Sequence, residues 1–272
     1  MVIHNASPFK MFGIKDPQKE LIEPALEGTR NVLNTANSTK SVKRIVLTSS
    51  IAAVFGDAVD IRSSPNETFK ETDWNTTSSP HHRPYAYSKT VAEMEAWNIA
   101  AEQEQWDFTV VNPGFVLGPS LTDRTDSTSI DFMLSMVNGK HKKGVPDLYF
   151  GVVDVRDVAK AHIAAGTNPA ATGRHILVAD TVTFLEMANI IKTQYATYPL
   201  PKGKVPKTFL YLLGPLQGVS WRYIRLNVGI PIRFDNSYSK KDLGIEYTPI
   251  EKTLHDHVQQ IIESGLLNKK NP

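Results

Sequence analysis

The sequence predicts an α/β protein, a doubly wound parallel sheet with a smaller cap after it. Three observations lead there. Short β-rich runs alternate with helical stretches in the order β-α-β-α-β over the first 120 residues, at the spacing of crossover units. The runs around Ile45 and Val110 are short and read as buried strands. Ser7, Ser50 and Pro113 fall where three of these strands end, and ligands of such sheets bind beyond the carboxyl ends of the strands.

The first strand runs from Val2 to Asn5 and ends in the small residues Ala6-Ser7-Pro8. Asp16-Pro17 supplies an N-cap followed by proline at the first helical position. Leu21, Ile22, Ala25, Leu26, Thr29, Val32, Leu33 and Ala36 then recur at helical spacing. Pro24 falls inside this run, so the helix must kink there or begin again. Arg44–Ser49 is the second strand. A loop rich in Ser, Thr, Asn and Pro runs from about Asp57 to Pro84, and loops of that length inside a compact domain are functional or mobile. A helix over 85–104 leads to the third strand, Phe108–Val111, which Asn112-Pro113-Gly114 terminates. Beyond Pro119 the pattern loosens: helices near 131–137, 155–165, 184–195 (capped by Thr183) and 254–264, strands near 148–153 and 175–178, and an interrupted helix over 207–226. The expected division is 1–120, with returns near 148–180, for the sheet domain and 121–272 mainly for the cap.

Composition excludes several classes. At 272 residues the chain has room for one large domain or a domain plus a cap. A net charge of +2 makes no electrostatic case for nucleic acid or an anionic membrane. Cysteine is absent, which rules out disulfides, thiolate catalysis and cysteine-based metal sites and fits a reducing, cytoplasmic setting. No apolar run reaches the length of a membrane span. The richest, Phe209–Val219, is broken by Gly214 and Pro215 and reads as a core or pocket segment. Met1–His4 has no basic flank and is no signal peptide; it reads as a strand already under way. His81-His82 lies in a polar loop without a third ligand at metal-binding spacing and is expected to be solvated. Lys140–Lys143 is expected to be a solvated turn, and Trp74, Trp97 and Trp106 to be packing residues.

The chemistry concentrates at Tyr85-Ala86-Tyr87-Ser88-Lys89 and the Thr48-Ser49-Ser50 before it. Residues four apart on a helix share a face. An ammonium beside a phenol favours the phenolate, so Lys89 is expected to lower the Tyr85 pKa. A phenol tuned in that way can exchange a proton with a substrate oxygen. A hydroxyl at a strand end can hold the same oxygen.

Thr48-Ser49-Ser50, Tyr85-x-x-x-Lys89, Pro113–Pro119 and Asp154–His162 occur in the order found in the extended short-chain dehydrogenase/reductases. With His4–Phe9 and Pro24–Leu33 the chain resembles the dihydroflavonol 4-reductase-like branch of that superfamily, over essentially its whole length. The resemblance implies a Rossmann-like fold and reduction of an aldehyde or ketone with NADP as the cofactor, in its reduced form NADPH, or NAD in its reduced form NADH. It implies Tyr85 as general acid, Lys89 as the residue that holds the nicotinamide ribose and tunes Tyr85, and Ser50 as the hydroxyl on the substrate oxygen. Ser49 ranks second, because neighbouring strand residues point to opposite faces. Pro113, Gly114 and Val116 would lie along the nicotinamide, and Ala6 and Ser7 under the dinucleotide. Residues 128–137 and roughly 180–235 would line the substrate side. The partners it implies are a small carbonyl or alcohol substrate and a second copy of the chain, docked through helices like 17–36 and 85–104.

The sequence departs from that pattern in two places. Where many superfamily members place an asparagine that organises a water relay, this chain has Ala25 beside Pro24. No G-x-x-G-x-x-G turn occurs, and Met1 corresponds to the superfamily's fourth strand, so the sequence reads as N-terminally truncated by on the order of 70 residues. Two alternatives stay open: a sugar-nucleotide epimerase, with Arg222, Arg225 and Arg233 as candidate diphosphate partners, and an inactive remnant lacking the phosphate loop. A dehydratase is disfavoured, because Ile51-Ala52 after Ser50 cannot do acid–base chemistry.

Overall fold

The computed structural model describes residues 1–10, 13–121 and 127–267. Strand β1 is Val2–His4. A helical stretch follows Asp16, whose carboxylate accepts the Lys19 N–H at 3.2 Å. Glu20 reaches back to the Lys15 and Asp16 N–H groups at 2.8 and 2.9 Å, so the helix start is closed from both sides. Pro24 is accommodated without a break. Gln18–Ile22 forms a π turn in which the Glu23 N–H donates to the Gln18 carbonyl, five residues back. Helix α1 continues over Glu23–Asn37. A π turn inserts one residue into the ladder, which is how a helix absorbs a position that cannot donate.

The remaining elements are β2 (Arg44–Thr48), α2 (Pro84–Ala101), β3 (Asp107–Pro113), β4 (Phe115–Leu117), α3 (Thr128–Val137), β5 (Tyr149–Asp154), α4 (Val155–Thr167), β6 (Gly173–Leu177), β7 (Asp180–Thr183), α5 (Phe184–Gln194), α6 (Lys207–Leu213), α7 (Trp221–Asn227), α8 (Ser237–Leu243) and α9 (Ile250–Glu263). The chain divides into two compact units. The first comprises 1–114, 158–177 and 233–246; the second comprises 115–157, 178–232 and 247–272.

The first unit is built on a parallel sheet in the order β1-β2-β3-β6. Ile3 pairs with Val46, Leu47 with Val110 and Val111 with His175. Leu33 and Ala36 of α1 and Ala96 and Ile99 of α2 pack with Ile45, Leu47, Phe108 and Val110. The Rossmann-like parallel sheet expected from the alternating pattern is present. Arg44 is buried in β2 and satisfied by the Ala165 carbonyl at 2.5 Å and Thr109 Oγ1 at 3.1 Å. The second unit carries a three-stranded sheet, β4-β5-β7, in which β5 is parallel to β4 and antiparallel to β7. Its core gathers Met133, Met136, Val152, Met187, Ile191, Leu254 and Val258. Thr183 caps α5 reciprocally with Glu186, as its sequence position predicts.

Several expectations are corrected. Only one of the two histidines meets solvent: His81 is exposed, but His82 is buried and bonds Asp57 at 2.6 Å. Asp57 is itself fully buried, and a buried carboxylate needs a close partner. The surrounding loop is correspondingly fixed. It contains 3-10 turns at Ala58–Ser63 and Pro65–Glu67, and Asn75 Nδ2 donates to the Ala52 carbonyl at 2.8 Å. The segment Phe209–Val219 is not core: Phe209, Leu212, Leu213 and Leu216 are exposed, and α6 buries none of its residues. Trp74 is more than a packing residue, since the Arg174 guanidinium stacks on it at 3.9 Å. Lys140, Lys142 and Lys143 are exposed as expected. Strands β4 and β7 and helix α8 were not anticipated; each is seven residues or shorter. Among the described residues no helix is long and apolar enough to cross a membrane.

Leu33 is fully buried between α1 and the sheet. Leu33→Ala should lower unfolding stability by about 3 kcal/mol, read from urea titrations followed by circular dichroism.

Candidate active site

Three strand ends and one helix build the site in the first unit. Ser50 follows β2 in extended conformation and caps the 3-10 turn Ile51–Ala53, its hydroxyl oxygen accepting the Ala52 N–H at 3.1 Å. With its oxygen occupied by a backbone donor, the hydroxyl hydrogen is free to donate. It lies near enough to the Tyr85 phenol to act against the effect of burial there. Tyr85 sits in the first turn of α2, which begins with Pro84 after Arg83 in left-handed conformation (φ 56°). This non-glycine positive φ turns the chain from the loop into the helix. The Phe9 ring meets the Tyr85 ring edge-on at 4.8 Å.

Lys89 lies one turn along α2, with its Nζ 5.9 Å from the Tyr85 ring centroid. The expected shared face is therefore present. The expected direction of the phenol's shift is not. Burial pushes Tyr85 up to about 12, opposed by the hydrogen bond from Ser50. Burial pushes Lys89 down to about 8, opposed by the Glu93 charge. Desolvation of the phenolate outweighs an ammonium 5.9 Å from the ring centroid. At neutral pH Tyr85 holds its proton.

Lys89 also borders a small cleft with His4, Ala6, Ser7, Thr29, Thr48 and Ser49. Ala6, Ser7 and Lys89 are thus brought together at the ends of β1 and β2. Pro113 and Gly114 close β3, where the Gly114 N–H donates to the Leu177 carbonyl at 2.9 Å. Val116 is on β4 in the second unit, paired with Val153. Ser49 and Ser50 do point to different partners: Ser49 Oγ donates to Glu93 while Ser50 engages Tyr85. His4 is buried, and burial and Lys89 both lower its pKa. His162 accepts or donates at Thr48 Oγ1 (2.6 Å) and bonds the Val158 carbonyl (2.7 Å). Among the described residues no cluster of three or more His, Asp or Glu side chains is gathered for a metal.

Sequence reasoning missed Glu93, Asn112 and Arg174, all buried beneath these residues. Glu93 had a signal, because it stands four residues after Lys89 on the same helix face. Arg174 had none, since only the sheet brings β6 under α2.

Residues 1–179 match the NAD dependent epimerase/dehydratase family. The chain belongs to that family. It is 37% identical over 270 residues to cinnamoyl-CoA reductase CAD2 of Medicago truncatula, covering 98% of this chain and 74% of the relative. It is 31% identical to the NADPH-dependent methylglyoxal reductase GRE2 of Saccharomyces cerevisiae, over 97% of this chain and 76% of the relative. The crystal structure of the yeast methylglyoxal/isovaleraldehyde reductase Gre2 complexed with NADPH superposes with a TM-score of 0.79 at 29% identity, covering 98% of this chain and 78% of that one. The resemblance first read from the ordered motifs is therefore the family to which the chain belongs.

The buried ammonium has a measurable stability cost. A lysine whose folded pKa is about 8, against an ordinary 10.5, destabilises the fold fully below pH 8. As the pH rises from about 8 towards 10.5 the folded state releases a proton that the unfolded chain keeps, so stability recovers. Lys89→Met should therefore be more stable than the parent protein at pH 7 by about 2 kcal/mol, with the gap closing by pH 10.5 in paired urea titrations.

Proposed function

We propose that the chain is an NADPH-dependent oxidoreductase that reduces an aldehyde or ketone to an alcohol, with Tyr85 as general acid, Ser50 as the hydroxyl on the substrate oxygen and Lys89 on the cofactor side. One observation carries the assignment of roles: the buried Tyr85 has the Lys89 ammonium 5.9 Å from its ring centroid, one turn along α2, and the Ser50 hydroxyl close enough to act on its phenol. Each of these two hydroxyl groups can donate to a substrate oxygen.

The donor set fits the cofactor. An ammonium has three donors, and Lys89 presents its charge in a cleft floored by the small residues Ala6 and Ser7. Lys89 and Tyr85 would hold the nicotinamide ribose, with Pro113, Gly114 and Val116 along the nicotinamide. NADPH, when bound, supplies the hydride. Tyr85 gives its phenolic proton to the carbonyl oxygen as that oxygen gains charge, and Ser50 donates a hydrogen bond to the same atom. The phenolate left behind is stabilised by the nearby Lys89 charge. The pKa of about 12 suits this direction, since the acid is fully protonated before the reaction.

The relatives favour carbonyl reduction over epimerisation: cinnamoyl-CoA reductase and methylglyoxal reductase are both named as reductases. Arg222 and Arg225, candidates for a diphosphate, are exposed on α7. The same reading assigns 1–120, with the returns near 148–180, to the cofactor and 121–272 mainly to the substrate. It also takes the protein as a cytoplasmic homodimer docked through α1 and α2, supported by the absence of cysteine and by the exposed Met94 on α2.

Tyr85→Phe should lower kcat for aldehyde-dependent NADPH oxidation by about 10²–10⁴-fold while the NADPH dissociation constant, from fluorescence titration, changes little. Lys89→Ala should damage both. Equal loss of NADPH binding in the two variants would overturn the assigned roles.

A further inference from the structure

Glu93 is a buried carboxylate that the reaction just described does not use. It is 1% exposed and stands one turn beyond Lys89 on α2. It accepts hydrogen bonds from Ser49 Oγ, from Asn112 Nδ2 at 2.8 Å, from Arg174 Nε at 2.6 Å and from Trp97 Nε1 at 3.4 Å. Three of these donors lie on or directly after three different strands. Ser49 directly follows β2, Asn112 is the last residue but one of β3 and Arg174 belongs to β6.

Their remaining bonds lead back to the site. Asn112 Nδ2 also donates to the Ser50 carbonyl at 3.2 Å. Arg174 donates to the carbonyls of Glu71 (2.7 Å), Asp73 (2.6 Å) and Ala53 (3.3 Å), so it holds both ends of the segment that leaves from Ser50. One carboxylate thus joins the helix carrying Tyr85 and Lys89 to the strand end carrying Ser50.

A buried ion pair is by itself an inefficient source of stability. A charge does what an apolar pair cannot. The titratable groups acting with Lys89 are His4 from β1 and Tyr85 and Glu93 from α2; Arg174 from β6 is bound by Glu93 itself. His4 is shifted towards its neutral form and Tyr85 keeps its proton, which leaves Glu93 as the anion acting on Lys89.

From this geometry we infer that Glu93 is a positioning residue for the reaction: its carboxylate keeps Lys89 charged and sets Ser50 in register with Tyr85. The inference rests on the reductase reading, and its test separates the two. In the ligand-free full chain, the pH dependence of Lys89 acetylation by acetic anhydride, followed by mass spectrometry, reports the lysine's titration directly. In Glu93→Gln the labelling midpoint should fall by about one pH unit. In NADPH-dependent reduction of a short aliphatic aldehyde, kcat should fall by about tenfold or more with KM within about twofold, and the basic limb of its pH profile should move with the labelling midpoint.

Should Glu93→Gln lack a cooperative thermal transition, the double variant Glu93→Gln/Arg174→Met, which also removes the guanidinium that Glu93 pairs with, carries the same expectations. A folded variant with unchanged labelling midpoint and unchanged kcat profile overturns the inference, even if its Tm drops, because Glu93 is then structural only. A parent protein that oxidises no NADPH with any aldehyde or ketone tested overturns the reductase reading instead, and the labelling experiment still decides whether Glu93 holds the Lys89 charge.

Discussion

A positive charge buried at the carboxyl end of a parallel sheet is the constraint on which the site depends. Lys89 is 8% exposed, and an ammonium in that position is stable only with compensation close by. The charge of Glu93, one turn further along α2, acts in that direction, and Glu93 in turn is held by Ser49 after β2 and by donors from β3 and β6. The polar chain therefore ends in the sheet itself. The ordering of Ser50, of the loop after it and of the first turns of α2 all follow from satisfying one buried carboxylate and one buried ammonium.

The electrostatics of the phenol follow from the same burial. Charge proximity alone predicts an acidified tyrosine; in the folded chain the desolvation of Tyr85 dominates and the phenol stays protonated. An acid that must give a proton as an alkoxide forms is better served by a firmly held proton than by a phenolate already formed. The Ser50 hydroxyl opposes the effect of burial without overcoming it.

Part of this was legible without coordinates. Tyr85 and Lys89 are linked by helical periodicity, and Ser50 by its place at the end of an apolar strand, so local spacing sufficed to group them. Alternation on the strand also separated Ser49 from Ser50, and the two do face different partners. What failed to be legible depended on distant pairings. His82 looked solvated because nothing in the local sequence announces Asp57, 25 residues earlier, as its buried partner. Phe209–Val219 looked like core because apolar content says nothing about which face a short helix finds covered.

The sequence by itself determined the parallel α/β class, the family motifs and the residue types able to do proton-transfer chemistry, because these are written in short-range spacing and strand–helix alternation. Only the tertiary structure decided the protonation of Tyr85 and Lys89, the service of Glu93 and the stacking of Arg174 on Trp74. Those depend on burial and on contacts between residues as far as 121 positions apart, such as Arg174 and Ala53, and neither is set until the sheet has brought its strand ends together.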